Sequence, residues 1–190
     1  MPSWIEFRLA VQGLLRLARF NSDFQRFFDG SASGALRSFW LMVPIYPFYL
    51  FQLWTGDLAA RAGDDLQFYL AMSVGFVVRW LVPPVLIAWL APMIGRDAEM
   101  PGCIAIYNWT SLLGIPVSVP VLLLSLAGAS DGSLSILDNL VMLIVLAWEV
   151  FMLTRVLRIP VWQAVAATAA DYFISNWLLL SIFLVVGGFR

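Results

Sequence analysis

The most constraining feature of this sequence is the spacing of its charges. The stretch 100–130 holds 31 consecutive uncharged residues, and another 19 uncharged residues follow Arg37. Two further long apolar stretches carry one charge each, Arg79 in the first and Asp171 in the second. A helix needs about 20 apolar residues to cross the hydrocarbon core of a bilayer. The sequence therefore predicts an all-α integral membrane protein, a polytopic bundle of helices.

The composition removes several classes of function. With 62% hydrophobic residues and a mean hydropathy of +0.87, the 190-residue chain leaves no room for a sizeable soluble domain. The net charge of −1 gives no indication of a nucleic-acid partner, and the absence of histidine removes the commonest metal ligand. Cys103 is the single cysteine, so an internal disulfide is excluded. We expect no cofactor, no metal site and no catalytic residues.

Five transmembrane helices are predicted, at about 36–55, 66–94, 102–127, 136–156 and 161–187, in a membrane domain that spans 31–190. Tryptophans suited to anchor at the membrane interfaces are Trp54, Trp89, Trp109, Trp162 and Trp177. With the N-terminus in the cytoplasm, the arginines on the inside are Arg8, Arg16, Arg19, Arg26, Arg37, Arg96, Arg155 and Arg158, and those on the outside are Arg61 and Arg190. The positive-inside rule then favours a cytoplasmic N-terminus and an external C-terminus. The arginine and tryptophan bias suggests a bacterial inner membrane.

The segment 1–30 precedes the membrane domain and has the pattern of an amphipathic helix. Ser3 followed by Glu6 is typical of a capping box at a helix start. We expect the helix to lie in the membrane interface, with a break near Asn21 and a flexible joint over 29–34. The alternative is a helix packed on the protein's own cytosolic face. The residues of the predicted basic face are Arg8, Arg16, Arg19 and Arg26.

Arg79, Glu149 and Asp171 are the charges that we place inside the predicted spans. A charge at the centre of a membrane helix costs about 2.5–3.5 kcal/mol by insertion measurements, so each should be paired or should face water. The most economical arrangement pairs Arg79 with Asp171, with Glu149 joining them or bonding to the third span. The network is then a structural ion pair, a proton or ion relay, or a site that faces a partner subunit.

Prolines and small polar residues add a second candidate feature. Because proline lacks an N–H group, it frees a carbonyl four residues earlier. Such helix breaks are predicted at Pro83, Pro84, Pro116 and Pro120. Polar side chains available to line a path beside them are Asn108, Thr110, Ser111, Thr168, Ser175 and Asn176. Interrupted helices are used by transporters to bind substrates or ions, although proline is also common in ordinary membrane helices.

Two local patterns in the second half of the chain carry a resemblance. The run GRDAEMPGCIAIYNWTSLLGIPVSVPVLLL, 95–124, places a short polar loop before an apolar helix that contains prolines. The run LAWEVFMLTRVLRIPVWQAV, 146–165, places a basic turn between two spans. With the cytosolic N-terminal segment and five closely spaced spans, this layout resembles the Yip1-domain family. The resemblance implies a five-span architecture and a non-enzymatic role through partner proteins and membrane organisation.

The leading functional prediction is therefore a non-enzymatic membrane protein that binds partners or organises lipids. Its partners are the lipid bilayer and either other membrane proteins or further copies of the chain. The alternative is a small transporter or channel component that couples ion or proton movement through Asp171, Glu149 and Arg79. An intramembrane enzyme built on Asp171 and Glu149 is the remaining interpretation.

Overall fold

The protein is built from helices. The computed structural model describes residues 1–55 and 66–186, and all regular secondary structure in these ranges is helical. The α-helices of these ranges are α1 (Trp4–Leu17), α2 (Ala32–Ser38), α3 (Met42–Thr55), α4 (Leu66–Met93), α5 (Met100–Leu126), α6 (Asp131–Val156) and α7 (Val161–Val186). The first three are connected by 3-10 helices, Ser22–Phe27 and Phe39–Leu41.

Four of the described helices, α4 to α7, are long and apolar enough to cross a membrane. They hold 26 to 28 residues each, which at 1.5 Å per residue gives about 40 Å, more than the roughly 30 Å of hydrocarbon. The chain is thus consistent with an integral membrane protein. Predicted spans two, three and five agree with α4, α5 and α7. Helix α6 begins earlier than predicted, because Ser130 caps a polar first turn by accepting from Ser133 N–H.

The segment predicted as the first span is not one continuous helix. Helix α2 is followed by the 3-10 turn Phe39–Leu41 and then by α3. Pro44 lacks the N–H group that would bond to the carbonyl of Trp40, so an α-helix is weakened at this turn. Arg61 and Arg190, the two arginines predicted to lie outside the membrane, are not among the described residues.

The four long helices form a ring. Helix α4 packs most extensively on α7, and α5 packs on both α4 and α6, while α6 also contacts α7. The α4–α7 contact is close, because a side chain at Gly75 would collide with Leu179. Helices α1, α2 and α3 pack around the outside of α5. The ring leaves room at its centre for the cavity described below.

The hydrophobic core is concentrated at one end of the ring, here called the α1 end, where α5 begins and α6 finishes. Leu17 and Phe24 from the N-terminal segment are fully buried there, together with Met152 and Leu157 near the end of α6. Trp109 of α5 is 2% exposed and its ring lies 6.0 Å from that of Phe7. Trp109 is therefore a core residue, and the prediction that it anchors the membrane interface is wrong.

Helix α1 is tied to the ring by polar contacts as well as by burial. Ser3 Oγ accepts a hydrogen bond from Glu6 N–H at 3.1 Å, which confirms the Ser3 half of the predicted capping box. The Glu6 carboxylate accepts from Arg37 Nε at 3.0 Å, and Arg37 also pairs with Asp29. The pKa of Asp29 is lowered, first because it accepts from the Ser31 backbone N–H and then because of Arg37. Arg37 thus connects the start of α1, through Glu6, to the segment that leads into α2, through Asp29.

The expected flexible joint over 29–34 is instead the capped start of α2. Ser31 Oγ accepts from Gly34 N–H at 3.0 Å, and Ser31 N–H donates to Asp29 at 2.9 Å. Gly30 packs against Gly102 of α5, with little room for a side chain between the two backbones. Small and polar residues at this point therefore serve a close contact and a cap rather than flexibility.

Helix α1 has one buried face and one exposed face. Ala10, Gly13, Leu14 and Leu17 are buried. Trp4, Arg8 and Leu15 are exposed and lie together on the opposite side of the helix. The other arginines of the predicted basic face are Arg16, 4.7 Å from the ring of Phe27, and Arg19 and Arg26, which are exposed and follow α1 in the chain. The helix ends at Leu17, shortly before the break expected near Asn21.

Replacing Gly102 with leucine should lower the free energy of unfolding by about 1–3 kcal/mol, as overpacking does in other proteins. A Cβ atom at Gly102 would lie 3.3 Å from Gly30 Cα, and the rest of the side chain would meet backbone. A Cβ atom added at Gly114, on the same helix, would have no atom of the described residues within 4 Å, so Gly114→Leu is the matched control. Thermal unfolding of both variants in one detergent measures the difference. Equal melting temperatures would contradict the close α2–α5 contact.

Candidate functional site

A cavity of about 560 Å³ lies at the centre of the ring, bordered by α3 to α7. Its lining includes four charged side chains, Arg79 from α4, Asp138 and Glu149 from α6, and Asp171 from α7. Three acids face one base, so the lining is acidic in formal charge. A concave site with a few converging polar groups on apolar walls is the usual form of a small-molecule site.

The carboxyl group of Asp171 is held in place by two neutral donors. Tyr107 of α5 donates its hydroxyl to Oδ2 at 3.2 Å, and Ser175 donates to Oδ1 at 3.1 Å. Ser175 lies one turn after Asp171 on α7, and both residues are buried. Helix α7 therefore carries both the acid and one of its hydrogen-bond donors, Ser175, which was among the polar residues predicted to line a path. The other donor comes from α5, which the sequence did not indicate.

Glu149 lies in the cavity wall and is 8% exposed. The Thr168 hydroxyl of α7 lies beside its carboxyl. The Glu149 carboxyl oxygens are not among the fully buried atoms of the described residues that lack a partner. Glu149 is thus a carboxyl of the cavity lining with few protein donors around it in the described part of the chain, which leaves it available to a bound cation.

Arg79 faces the cavity without a direct partner. The expected ion pair with Asp171 is absent, since no carboxylate of the described residues lies within 4 Å of the Arg79 guanidinium. The side chain is exposed and lines the cavity. The Asp171 carboxyl accepts from Tyr107 and Ser175 instead. Arg79, Glu149 and Asp171 therefore share one cavity, but they do not form a contact network of ion pairs.

Asp138 is a cavity residue that the sequence pattern did not single out, although it lies inside the span predicted at 136–156. It sits on the same face of α6 as Glu149, because a separation of 11 residues is close to three helical turns. Asp138 also lines a second cavity of about 480 Å³, whose other polar residues include Gln52, Ser118 and Ser135. The spacing of the two acids on one helix was the available signal. Asp138 links the central cavity to polar surface at the end opposite α1.

The remaining walls of the central cavity are rich in aromatic rings and include unpaired polar atoms. Tyr49, Phe76, Trp80 and Tyr172 join Tyr107 in the lining. Trp80 Nε1 is buried with no hydrogen-bond partner in the described ranges, and so is the carbonyl oxygen of the Asn108 side chain. Both atoms belong to residues of the cavity wall but are themselves buried, so the described residues leave them unpaired.

The polar residues predicted to line a path lie in different places in the structure. Asn108, Ser111 and Ser175 line the central cavity, and Asn108 also donates to Ser38 of α2 at 2.8 Å. Thr168 lines a groove between α6 and α7. Two others are used within their own helices: Thr110 donates to the Ile106 carbonyl at 2.8 Å, and Asn176 donates to the Tyr172 carbonyl at 2.6 Å.

The predicted helix breaks do not occur. Helix α4 continues through Pro83 and Pro84, and α5 continues through Pro116 and Pro120. Each proline removes one backbone hydrogen bond but keeps a φ value that suits a helix. Pro83 still has a local effect, because it lines the cavity one turn beyond Arg79. The site is therefore built between intact helices rather than at unwound ones.

Comparison with known proteins assigns no family. No family model, curated protein or solved structure matches this chain. Within the described residues, no group of three or more acids or cysteines has the arrangement of a metal site. The function must therefore be inferred from the central cavity and its charges.

Proposed function

We propose that this protein binds a small organic cation in the central cavity as a small transporter component. The observation that carries the proposal is the combination in one cavity of Asp138, Glu149 and Asp171 with aromatic walls. Carboxylates attract a cation directly, and aromatic faces attract it through their quadrupoles. Arg79 would offset part of the negative charge when no cation is bound, and would move away from the carboxylates when the cation enters.

The membrane arrangement that fits this proposal has five spans. Helices α2 and α3 with the turn between them would form the first span, from Ala32 to Thr55. Eight arginines then lie on the side of the N-terminus. We propose a bacterial inner membrane, a cytoplasmic N-terminus and an external C-terminus. The α1 end would be cytoplasmic, and Asp138 would lie on the route to the outside.

A second candidate function is supported by α1. Its exposed apolar side chains include Trp4 and Leu15, which lie on the side of the helix opposite the buried face. Such a surface suits an interfacial helix that organises lipids or binds another membrane protein. This is the non-enzymatic role that the Yip1-like layout implies, and the resemblance remains a prediction.

Cation binding is tested with tetraethylammonium and the protein in lipid nanodiscs, by isothermal titration calorimetry against empty nanodiscs. We expect Asp171→Asn to weaken binding at least tenfold, because a carboxylate about 4 Å from a quaternary ammonium contributes about 4 kcal/mol of Coulomb attraction at an effective dielectric constant of about 20. The fold should persist, since asparagine can still bond to Ser175 and Tyr107. Asp97→Asn, in the loop before α5, is the matched control and should bind as wild type does.

Equal affinities of the Asp171→Asn and wild-type proteins would overturn the cavity as the cation site. Absence of heat from tetraethylammonium, together with a protein partner that co-purifies at fixed stoichiometry, would favour the second candidate. If binding is present, flux into liposomes distinguishes a transporter component from a binding protein.

A further inference from the structure

A groove of about 620 Å³ lies on the outer surface of the bundle, between α6 and α7. Its walls are apolar along most of their length, with Leu146 and Val150 from α6 and Val165 and Phe173 from α7. Both flanking helices are long enough to cross a membrane, and Val165 and Phe173 are exposed. In a bilayer, this groove faces hydrocarbon chains.

One end of the groove is basic. Arg155 lines it at the α1 end, where its guanidinium lies 5.4 Å from the ring of Phe151. Arg155 is exposed and has no carboxylate within 4 Å in the described part of the chain. Among the residues that the structure describes, no acidic side chain lines the groove. The unpaired guanidinium of Arg155 therefore lies at the α1 end of the apolar walls.

Two residues close in the chain to the lining of the groove have unusual backbone conformations. Phe20, just after α1, has a φ of 55°, and Arg158, in the turn before α7, has a φ of 54°. A side chain in the left-handed region costs energy and persists only where the surroundings impose it. At the first position the backbone places the Phe20 ring 5.4 Å from that of Phe151, which closes one side of the groove. Arg158 and Arg19, both exposed, lie close in the chain to residues that line the groove.

We propose that the α6–α7 groove binds one anionic phospholipid, with an acyl chain along the apolar walls and the phosphate at Arg155. The basis is charge complementarity at the end of a hydrocarbon-facing groove. Guanidinium groups bind phosphate oxygens through paired donors. Anionic lipids are favoured over zwitterionic ones, because the described residues that line the groove include Arg155 and no carboxylate for a headgroup ammonium. The site does not depend on cation binding in the central cavity, although Leu146 and Tyr172 line both.

The test is native mass spectrometry of the full-length protein, after exchange from nanodiscs of equal parts phosphatidylglycerol and phosphatidylethanolamine into a mild detergent. We expect one phosphatidylglycerol to remain bound to wild type. Arg155→Gln should lower this occupancy at least fivefold, whereas Arg8→Gln, at an exposed arginine outside the groove, should leave it unchanged. Val165→Trp should fill the groove and remove the lipid while Arg155 is intact. Leu180→Trp, at an exposed position of α7 outside the groove, is its control.

Inorganic phosphate distinguishes a lipid site from a phosphate site. An excess of phosphate should leave the bound phosphatidylglycerol in place, because the acyl chain supplies part of the affinity. Displacement by phosphate would overturn the lipid site, as would equal lipid retention in Arg155→Gln and Arg8→Gln. Retention of phosphatidylethanolamine in place of phosphatidylglycerol would overturn the preference for an anionic headgroup. Circular dichroism spectra of all variants check that the helices are intact.

Discussion

Truncation of Trp109 to alanine is expected to lower the free energy of unfolding by about 3–5 kcal/mol, the usual cost of removing a large buried aromatic side chain. Trp109 is 2% exposed in the core at the α1 end. Its ring meets Phe7 of α1, so the truncation opens a cavity and also removes a contact that holds α1 on the ring. Unfolding in mixed micelles with a rising fraction of dodecyl sulfate measures the change.

The matched control is Trp162→Ala. Trp162 is 69% exposed near the start of α7, so its truncation removes little packing. We expect a change in unfolding free energy of less than about 1 kcal/mol for this variant, as is usual for exposed positions. If Trp109→Ala and Trp162→Ala have equal free energies of unfolding, α1 does not pack on α5 as described.

Much of the fold follows from patterns that depend only on local sequence. Long apolar stretches with at most one charge predicted α4, α5 and α7 to within two residues at each end, because hydrophobic length sets the span. The Ser3 cap was visible because its donor lies three residues away. The prediction for 29–34 was wrong, since glycine and serine are equally typical of a flexible joint and of a close helix contact. Only the partner, Gly102 in a distant part of the chain, decides between the two.

The candidate site was predictable in its residues but not in its geometry. The rarity of charges inside apolar stretches pointed to Arg79, Glu149 and Asp171, and all three line one cavity. Considered as charges alone, Arg79 and Asp171 were the expected pair. Tyr107, a neutral donor on another helix, bonds to Asp171 instead. Neutral donors carry no signal in hydropathy, so their position becomes known only with the packing of the helices.

Replacement of Glu149 by methionine is expected to raise the free energy of unfolding by about 1–3 kcal/mol, because a carboxyl that is only 8% exposed loses most of its hydration on folding. Methionine is flexible enough to fill the volume of the glutamate without a polar group. The same variant should weaken tetraethylammonium binding at least tenfold, since it removes a carboxyl from the cavity lining. A gain in stability with a loss of binding is the signature of a residue kept for function at a cost to the fold.

Thermal unfolding and calorimetry on the same preparations measure both quantities. Glu99→Met is the control, because Glu99 lies outside the cavity and its 3.8 Å pair with Arg96 contributes little at a surface. If Glu149→Met destabilises the protein, the Glu149 carboxyl has a partner in the folded state and its burial carries no such cost. If the variant is stabilised but binds tetraethylammonium as wild type does, the cation site does not include Glu149. If the variant is both more stable and weaker in tetraethylammonium binding, the Glu149 carboxyl destabilises the fold and contributes to the cation site.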